Sequence, residues 1–195
     1  MKSQKRDVLI ATALVLLLAG AALGYRTLSN RYEPDTVPQE SFPVPDEASV
    51  TDAAAPELPA AANFTVDDGD GNEIQLAEFI GEPIIVNFWA SWCPPCRAEL
   101  PDFEVAYQEH GTQIRFLMID LTDGVQETHA AVDALIAENG YTFPVYYDTT
   151  GSAVSAYQLY SIPKTVAINA DGRIVRTQLG ALNEETLAEL IALLI

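Results

Sequence analysis

The chain has 195 residues, with 10 Lys+Arg against 28 Asp+Glu and a formal net charge of −18. This length accommodates one domain of ordinary size together with accessory segments. Because binding to a nucleic-acid backbone relies on clustered Lys and Arg, the charge excludes nucleic acid as the main partner. Two cysteines are too few for a disulfide-stapled scaffold, and with two histidines they cannot form a conventional four-ligand zinc site without a carboxylate or a second chain.

The N-terminal segment is typical of membrane targeting, because three basic residues precede an uncharged run at 8–24. As a helix, this run reaches roughly 26 Å, within the usual range for a membrane span once interfacial residues flank it. We therefore predict a cytoplasmic start and a signal-anchor transmembrane helix over residues 1–26. The protein would be a single-pass protein of the cell membrane, with the rest of the chain on the extracytoplasmic side. A cleaved signal peptide is the alternative, since residues 19–21 are small enough for a signal peptidase.

Residues 27–62 form a predicted linker, in which half of the chain's 12 prolines lie among acidic residues and alanines. Proline favours extended backbone and removes hydrogen-bond donors, while the like charges repel one another. We predict a tether here, with a proline-motif docking site as the alternative. The globular domain is then predicted at residues 63–195.

Strand and helix patterns alternate along this domain. The expected elements are a hairpin at 64–76, a strand at 83–89, a helix at 95–109 kinked by Pro101, a strand at 114–121, a helix at 125–138, a strand at 144–147, a short helix at 152–157, strands at 165–168 and 174–179, and a helix at 184–194. This order predicts an α/β domain with a central mixed sheet, helices on both faces and an N-terminal β-hairpin.

Both cysteines lie in Trp92-Cys93-Pro94-Pro95-Cys96, at the turn between the strand at 83–89 and the next helix. Two intervening residues allow the sulfurs to form a small, reversible disulfide ring. A helix N-terminus favours a thiolate, which is the form that attacks a disulfide. Cys93 is therefore the predicted nucleophile and Cys96 the resolving thiol. A structural disulfide is the alternative, but so small a loop constrains the unfolded chain very little.

The stretch 87–101, Asn-Phe-Trp-Ala-Ser-Trp-Cys-Pro-Pro-Cys-Arg-Ala-Glu-Leu-Pro, resembles the active-site region of the thioredoxin superfamily. It is most similar to the membrane-anchored TlpA/ResA-like thiol-disulfide oxidoreductases, with the CcmG-type cytochrome c biogenesis proteins nearby. The resemblance covers residues 64–195 and implies a thioredoxin-like fold, no cofactor, and dithiol exchange with a disulfide-bearing exported client. In this branch the usual task is reduction, with electrons from a membrane donor of the CcdA or DsbD kind and apocytochrome c among the clients. We expect a monomer.

The resemblance also implies roles for residues around the dithiol. Ile162-Pro163 resembles the cis-proline loop that faces the dithiol and pairs with a bound substrate strand. Trp92 is expected to pack and to shape the surface around the nucleophile. Pro94-Pro95 departs from the dipeptides of several relatives, and because this pair tunes the thiolate, the reduction potential stays open.

Asn87 lies where cytoplasmic thioredoxins have a buried Asp that handles the proton of the resolving cysteine. Because an amide cannot take up a proton, this role requires another residue. Glu99, one helical turn after Cys96, is the candidate, and the resemblance to ResA-like proteins implies a functional acid at this position. Alternatively, Glu99 only complements the dipole of the helix in its first turn.

Other functions stay open at this point. A less reducing dithiol would support an oxidase or isomerase. A copper chaperone of the same fold could use Cys93, Cys96 and His129, although the two-residue spacing of the cysteines argues against it. Otherwise we predict no metal site, and His129 is expected on the apolar stripe of its helix. An inert scaffold would require that Cys93 be dispensable in cells.

Overall fold

The computed structural model describes residues 17–27 and 57–195. The chain divides into two units, Met1–Ala53 and Ala54–Ile195. In the first unit, residues 17–27 form a helix, α1, with exposed side chains. Neither described stretch contains a helix with the length and hydropathy needed to cross a membrane. Most of the predicted anchor at 1–26 and most of the predicted linker fall outside the described residues, so both stay predictions.

Seven strands build the sheet of the second unit. They are β1 (Thr65–Asp67), β2 (Glu73–Gln75), β3 (Ile84–Trp89), β4 (Arg115–Asp120), β5 (Val145–Tyr147), β6 (Lys164–Ile168) and β7 (Ile174–Leu179). Their order across the sheet is β2-β1-β5-β4-β3-β6-β7. The neighbours β3, β4 and β5 run parallel, whereas every other pair is antiparallel. The predicted mixed sheet and N-terminal hairpin are confirmed.

Helices cover both faces of this sheet, as the sequence predicted. They are α2 (Pro94–His110), α3 (His129–Asn139), α4 (Ser152–Ala156) and α5 (Glu184–Ala192), with a short 3-10 turn at Leu76–Phe79. The first core contains buried residues of α2, α3 and α5, and the second contains those of α4 and the 3-10 turn. The sheet separates these two apolar cores.

Strand β3 lies at the centre of both cores, because all 6 of its residues are buried. Trp89 belongs to the core beneath α2, while Phe88 packs on the opposite face against Tyr157, with ring centroids 5.0 Å apart. Burial on both faces explains why this segment is a continuous apolar run instead of an alternating one. The buried strand therefore fixes the position of the residues that follow its C-terminal end.

Helix α3 begins at His129, and the predicted start at Val125 is wrong. The side chain of Thr128 caps the helix at its first turn. Before it, the carboxylate of Asp123 accepts hydrogen bonds from the backbone N–H groups of residues 125–127, which holds them in a loop. Val125 is 88% exposed and lies before the helix, whose buried face contains Val132 and Leu135.

Residues at the end of the predicted linker pair with the domain. The N–H of Ile174 donates to the carbonyl of Pro59, and the N–H of Ala61 donates to the carbonyl of Gly172, both at about the length of a sheet hydrogen bond. The described domain therefore includes backbone that precedes residue 63.

Candidate active site

A tight turn at the end of β3 leads into α2 and contains the first cysteine. The N–H of Cys93 donates to the carbonyl of Ala90 at 3.1 Å, which closes the turn over residues 90–93. Cys93 is the N-cap of α2, followed by Pro94 and Pro95 in the first turn. Proline is well tolerated there, because N–H groups in the first turn have no partner within the helix. The helix therefore begins at the dithiol, as the motif predicted.

The two cysteines form a disulfide, with their Cα atoms 5.3 Å apart. Cys93 is 3% exposed, and Cys96 is fully buried. The backbone N–H of Cys96 donates to Sγ of Cys93 at 3.3 Å. In the reduced protein, this N–H and the positive end of the helix dipole stabilise negative charge on the same sulfur. The geometry therefore favours a thiolate at Cys93.

The loop that precedes β6 faces this sulfur. The Ile162–Pro163 peptide bond is cis, as the resemblance implied. The carbonyl oxygen of Ile162 lies 4.0 Å from Sγ of Cys93. Pro163 is buried and Ile162 is partly exposed. Because β6 pairs with β3, the sheet brings together two segments that are distant in sequence.

Exposed apolar side chains lie on both segments. Trp92 is 48% exposed, and Pro94 and Pro95 are also exposed. Tyr160, two residues before Ile162, is 91% exposed. Tyr160 was not predicted as a site residue, although an aromatic residue shortly before the cis-proline was an available signal.

Glu99 lies in the core, where it is 1% exposed. The side-chain amide of Asn87 donates to its Oε1 at 2.8 Å, and the N–H of Leu182 donates to its Oε2 at 2.7 Å. Burial raises the pKa of Glu99 to about 7, although these two hydrogen bonds act in the opposite direction. The alternative, in which Glu99 complements the helix dipole from the first turn, is wrong, because α2 begins at Pro94 and its first turn contains no acidic residue.

The position of Glu99 suits proton exchange with the dithiol. Residues three apart on a helix are neighbours on one face, which places Glu99 beside Cys96 on α2. A carboxyl with a pKa near neutrality can take up and release a proton at physiological pH.

A second buried acidic group, which was not predicted from the sequence, lies at the C-terminal ends of β3 and β4. Glu127, which follows β4, is fully buried and accepts two hydrogen bonds from Ser91. Asp120, the last residue of β4, is also fully buried and pairs in register with Trp89 of β3. Burial raises the pKa of Asp120, with the nearby acids Glu127 and Asp123 adding to the effect. The available signal was an Asp at the end of an apolar strand.

His129 lies apart from the cysteines. Its ring stacks on Tyr147 with centroids 4.0 Å apart, and its Nε2 is 3.9 Å from Oδ1 of Asp67. Within residues 17–27 and 57–195, no group of three or more His, Cys, Asp and Glu side chains is placed to hold a metal ion. Cys93, Cys96 and His129, the residues named for copper binding, do not form such a group within these residues.

A family model described as Redoxin matches residues 53–194. The chain belongs to the redoxin family. Among curated relatives of this redoxin, the thiol-disulfide oxidoreductase ResA of Halalkalibacterium halodurans is 30% identical over 135 residues, covering 69% of this chain and 74% of the relative. ResA of Bacillus subtilis is 28% identical over 192 residues, covering 98% of this chain and 95% of the relative.

The crystal structure of StoA from Bacillus subtilis is similar to this redoxin, with a TM-score of 0.59 and 32% identity. The match covers 68% of this chain and 99% of StoA. These comparisons place the redoxin in the TlpA/ResA-like part of the thioredoxin superfamily, with a thioredoxin-like fold. Together with the Cys93–Cys96 pair, they identify it as a thiol-disulfide oxidoreductase that acts on a disulfide-bearing substrate.

Proposed function

We propose that this oxidoreductase reduces disulfides of exported proteins on the extracytoplasmic side of the cell membrane. The position of Cys93 is the principal support, because its sulfur accepts the helix N-terminal N–H of Cys96 and faces the carbonyl of Ile162. The predicted signal anchor supports the location. The similarity to ResA of Bacillus subtilis extends over 98% of the chain, which includes that N-terminal region.

In the proposed reaction, the thiolate of Cys93 attacks one sulfur of the client disulfide. The client disulfide breaks, a mixed disulfide forms, and the other client sulfur leaves as a thiolate that takes up a proton. Cys96 then loses its proton and attacks Sγ of Cys93, which releases the second client thiolate. Two electrons have passed from the dithiol to the client, and the enzyme is left with the disulfide seen in the structure.

Glu99 accepts the proton of Cys96 in this scheme. Cys96 is buried, so its thiol has little direct access to water and needs an internal base. Asn87 cannot accept a proton, whereas Glu99 has a pKa of about 7 because it is buried. A base with this pKa can take the proton of a thiol and later return it.

The client binds across the surface around Cys93. Trp92, Pro94 and Pro95 form one side, and Ile162 with Pro163 forms the other. The backbone of Ile162 pairs with an extended client segment, which places the client disulfide over the attacking sulfur. Recognition of an extended segment through its backbone explains how such a site can accept clients of different sequence.

A membrane thiol donor of the CcdA or DsbD kind reduces the Cys93–Cys96 disulfide back to the dithiol. Apocytochrome c is the proposed client class. The protein acts as a monomer. The donor and the client class are proposed from the family resemblance and the predicted anchor.

The deciding experiment is a redox titration of the full chain in detergent micelles, scored by thiol alkylation and mass against a series of dithiol buffers. A midpoint near or below about −270 mV supports a reductase that needs a membrane electron supply. A midpoint toward about −120 mV would instead support an oxidase and reverse the direction of electron flow.

A further inference from the structure

The turn that positions Cys93 is bound at its second residue by an acid from another loop. In the turn over residues 90–93, the backbone N–H of Ser91 donates to Oε1 of Glu127 at 2.7 Å. The hydroxyl of the same residue donates to Oε2 at 2.9 Å. Both oxygens of one buried carboxylate therefore bind a single residue, which lies two positions before Cys93.

Glu127 is itself held in place by its own loop. The carboxylate of Asp123 accepts the N–H of Glu127 at 2.9 Å, together with those of the two preceding residues. The N–H of Gly124 donates to the carbonyl of Glu127 at 2.9 Å, and Gly124 has a φ of 73°, which favours glycine. A loop with these restraints can present the Glu127 carboxylate in one position.

A second buried acid, Asp120, lies near Glu127. Asp120 accepts a hydrogen bond from the hydroxyl of Thr122 at 2.6 Å, and its pKa is raised by burial and then by the nearby acids.

We propose that Glu127 is a positioning residue for the dithiol. It acts as a clamp: its carboxyl group binds Ser91 and holds the turn over residues 90–93. This turn keeps Sγ of Cys93 within hydrogen-bond distance of the N–H of Cys96. The inference rests on the proposed function in one respect, since it takes Cys93 as the attacking thiol.

Loss of the clamp affects the thiolate through geometry. Without an acceptor, the N–H and hydroxyl of the partly buried Ser91 must find other partners, because unpaired polar groups away from water are unfavourable. The turn then shifts, and Sγ of Cys93 loses contact with the helix N-terminus. A thiol removed from a helix N-terminus has a higher pKa and a smaller thiolate fraction at neutral pH.

The test compares Glu127→Ala with Glu127→Gln in the reduced full chain. Both variants remove the carboxyl group, but Gln keeps an oxygen that can accept the N–H of Ser91, so the difference between them isolates the clamp. The rate of alkylation by iodoacetamide is measured against pH, and mass spectrometry assigns the modified cysteine. Below neutral pH, we expect Cys93 to react about tenfold more slowly in Glu127→Ala than in Glu127→Gln, which corresponds to one pKa unit.

Ser91→Ala is the second variant, because it removes the hydroxyl and keeps the N–H. We expect a smaller loss of reactivity than in Glu127→Ala, and this variant decides the matter if Glu127→Ala does not fold. Equal reactivity of Cys93 in Glu127→Ala and Glu127→Gln would overturn the inference, even if their thermal stabilities differ. So would wild-type reactivity in Ser91→Ala. Failure of Cys93 to react selectively in the wild-type protein would count against the proposed function itself.

Discussion

The side-chain amide of Asn87 in β3 donates to the carboxylate of Glu99 in α2 at 2.8 Å inside the core. The same amide nitrogen donates to the hydroxyl of Thr165 in β6 at 3.0 Å. Because Asn87 and Thr165 do not titrate in this range, Glu99 is the group that can change its protonation state in this network. The stability and the chemistry of the site therefore both depend on the proton of Glu99.

Replacing Glu99 by Gln should remove a pH dependence from the free energy of unfolding. The pKa of Glu99 is about 7 in the folded protein, against an ordinary value of 4.5, so the folded protein binds this proton more tightly. Below the ordinary pKa of 4.5, the protonated Glu99 contributes fully to the free energy of unfolding. This contribution, about 3 kcal/mol in total, is lost as the pH rises through the folded-state pKa of about 7. Denaturant unfolding of the oxidised proteins at about pH 5 and about pH 8 measures this loss. An equal loss in wild type and Glu99→Gln would contradict the prediction.

The same variant should slow the release of client. Without a base, Cys96 loses its proton less readily, so we expect the mixed disulfide to persist at least about tenfold longer while the first attack by Cys93 is unchanged. Acid quenching of single turnovers, followed by mass spectrometry, separates the two steps. Glu109→Gln, an exposed acid at the other end of α2, is the matched control and should behave as wild type. Equal slowing of both steps in Glu99→Gln would exclude a role specific to Cys96.

Asn87→Asp should place a second carboxyl within hydrogen-bond distance of Glu99. Two buried acids this close cannot both ionise at low cost, so the pKa of Glu99 should rise further and the variant should lose more stability than wild type above neutral pH. Asn87→Ala is the comparison, since it removes the hydrogen bond without adding a carboxyl. It should cost about 1–3 kcal/mol, more above neutral pH than below it, because this hydrogen bond lowers the pKa of Glu99. If Asn87→Asp were destabilised equally at acidic and alkaline pH, this account of the network would be wrong.

Cys96→Ala should trap a covalent complex with the client, and Cys93→Ala should not. Cys93 forms the mixed disulfide, and only the thiol of Cys96 can resolve it. Cells that express each variant are treated with a thiol-blocking reagent, and the protein is analysed on non-reducing gels. The trapped species should disappear on reduction. A mixed disulfide that forms with Cys93→Ala and not with Cys96→Ala would reverse the assigned order of the two cysteines.

Local patterns in the sequence were sufficient for most of the elements and for the dithiol. The buried strand was predicted because the six residues of β3 are apolar or aromatic apart from Asn87. The hairpin was predicted because glycines mark its turn. The two cysteines are three positions apart, so their ability to form a reversible disulfide follows from residues that are neighbours in sequence. The start of α3 was predicted wrongly, because the side chain of Asp123 competes for the backbone N–H groups that an earlier helix start would use.

The contacts that complete the site depend on the tertiary structure. Ile162 reaches Cys93 across 69 positions, and Glu127 reaches Ser91 across 36. Neither contact follows from the periodicity of the sequence, because each depends on which strands pair and on the register of the pairing. The sequence by itself determined the dithiol and its place at a helix N-terminus, since both depend on adjacent residues. Only the tertiary structure decided that Glu99 and Glu127 are buried, since burial of an acid depends on the elements that pack around it.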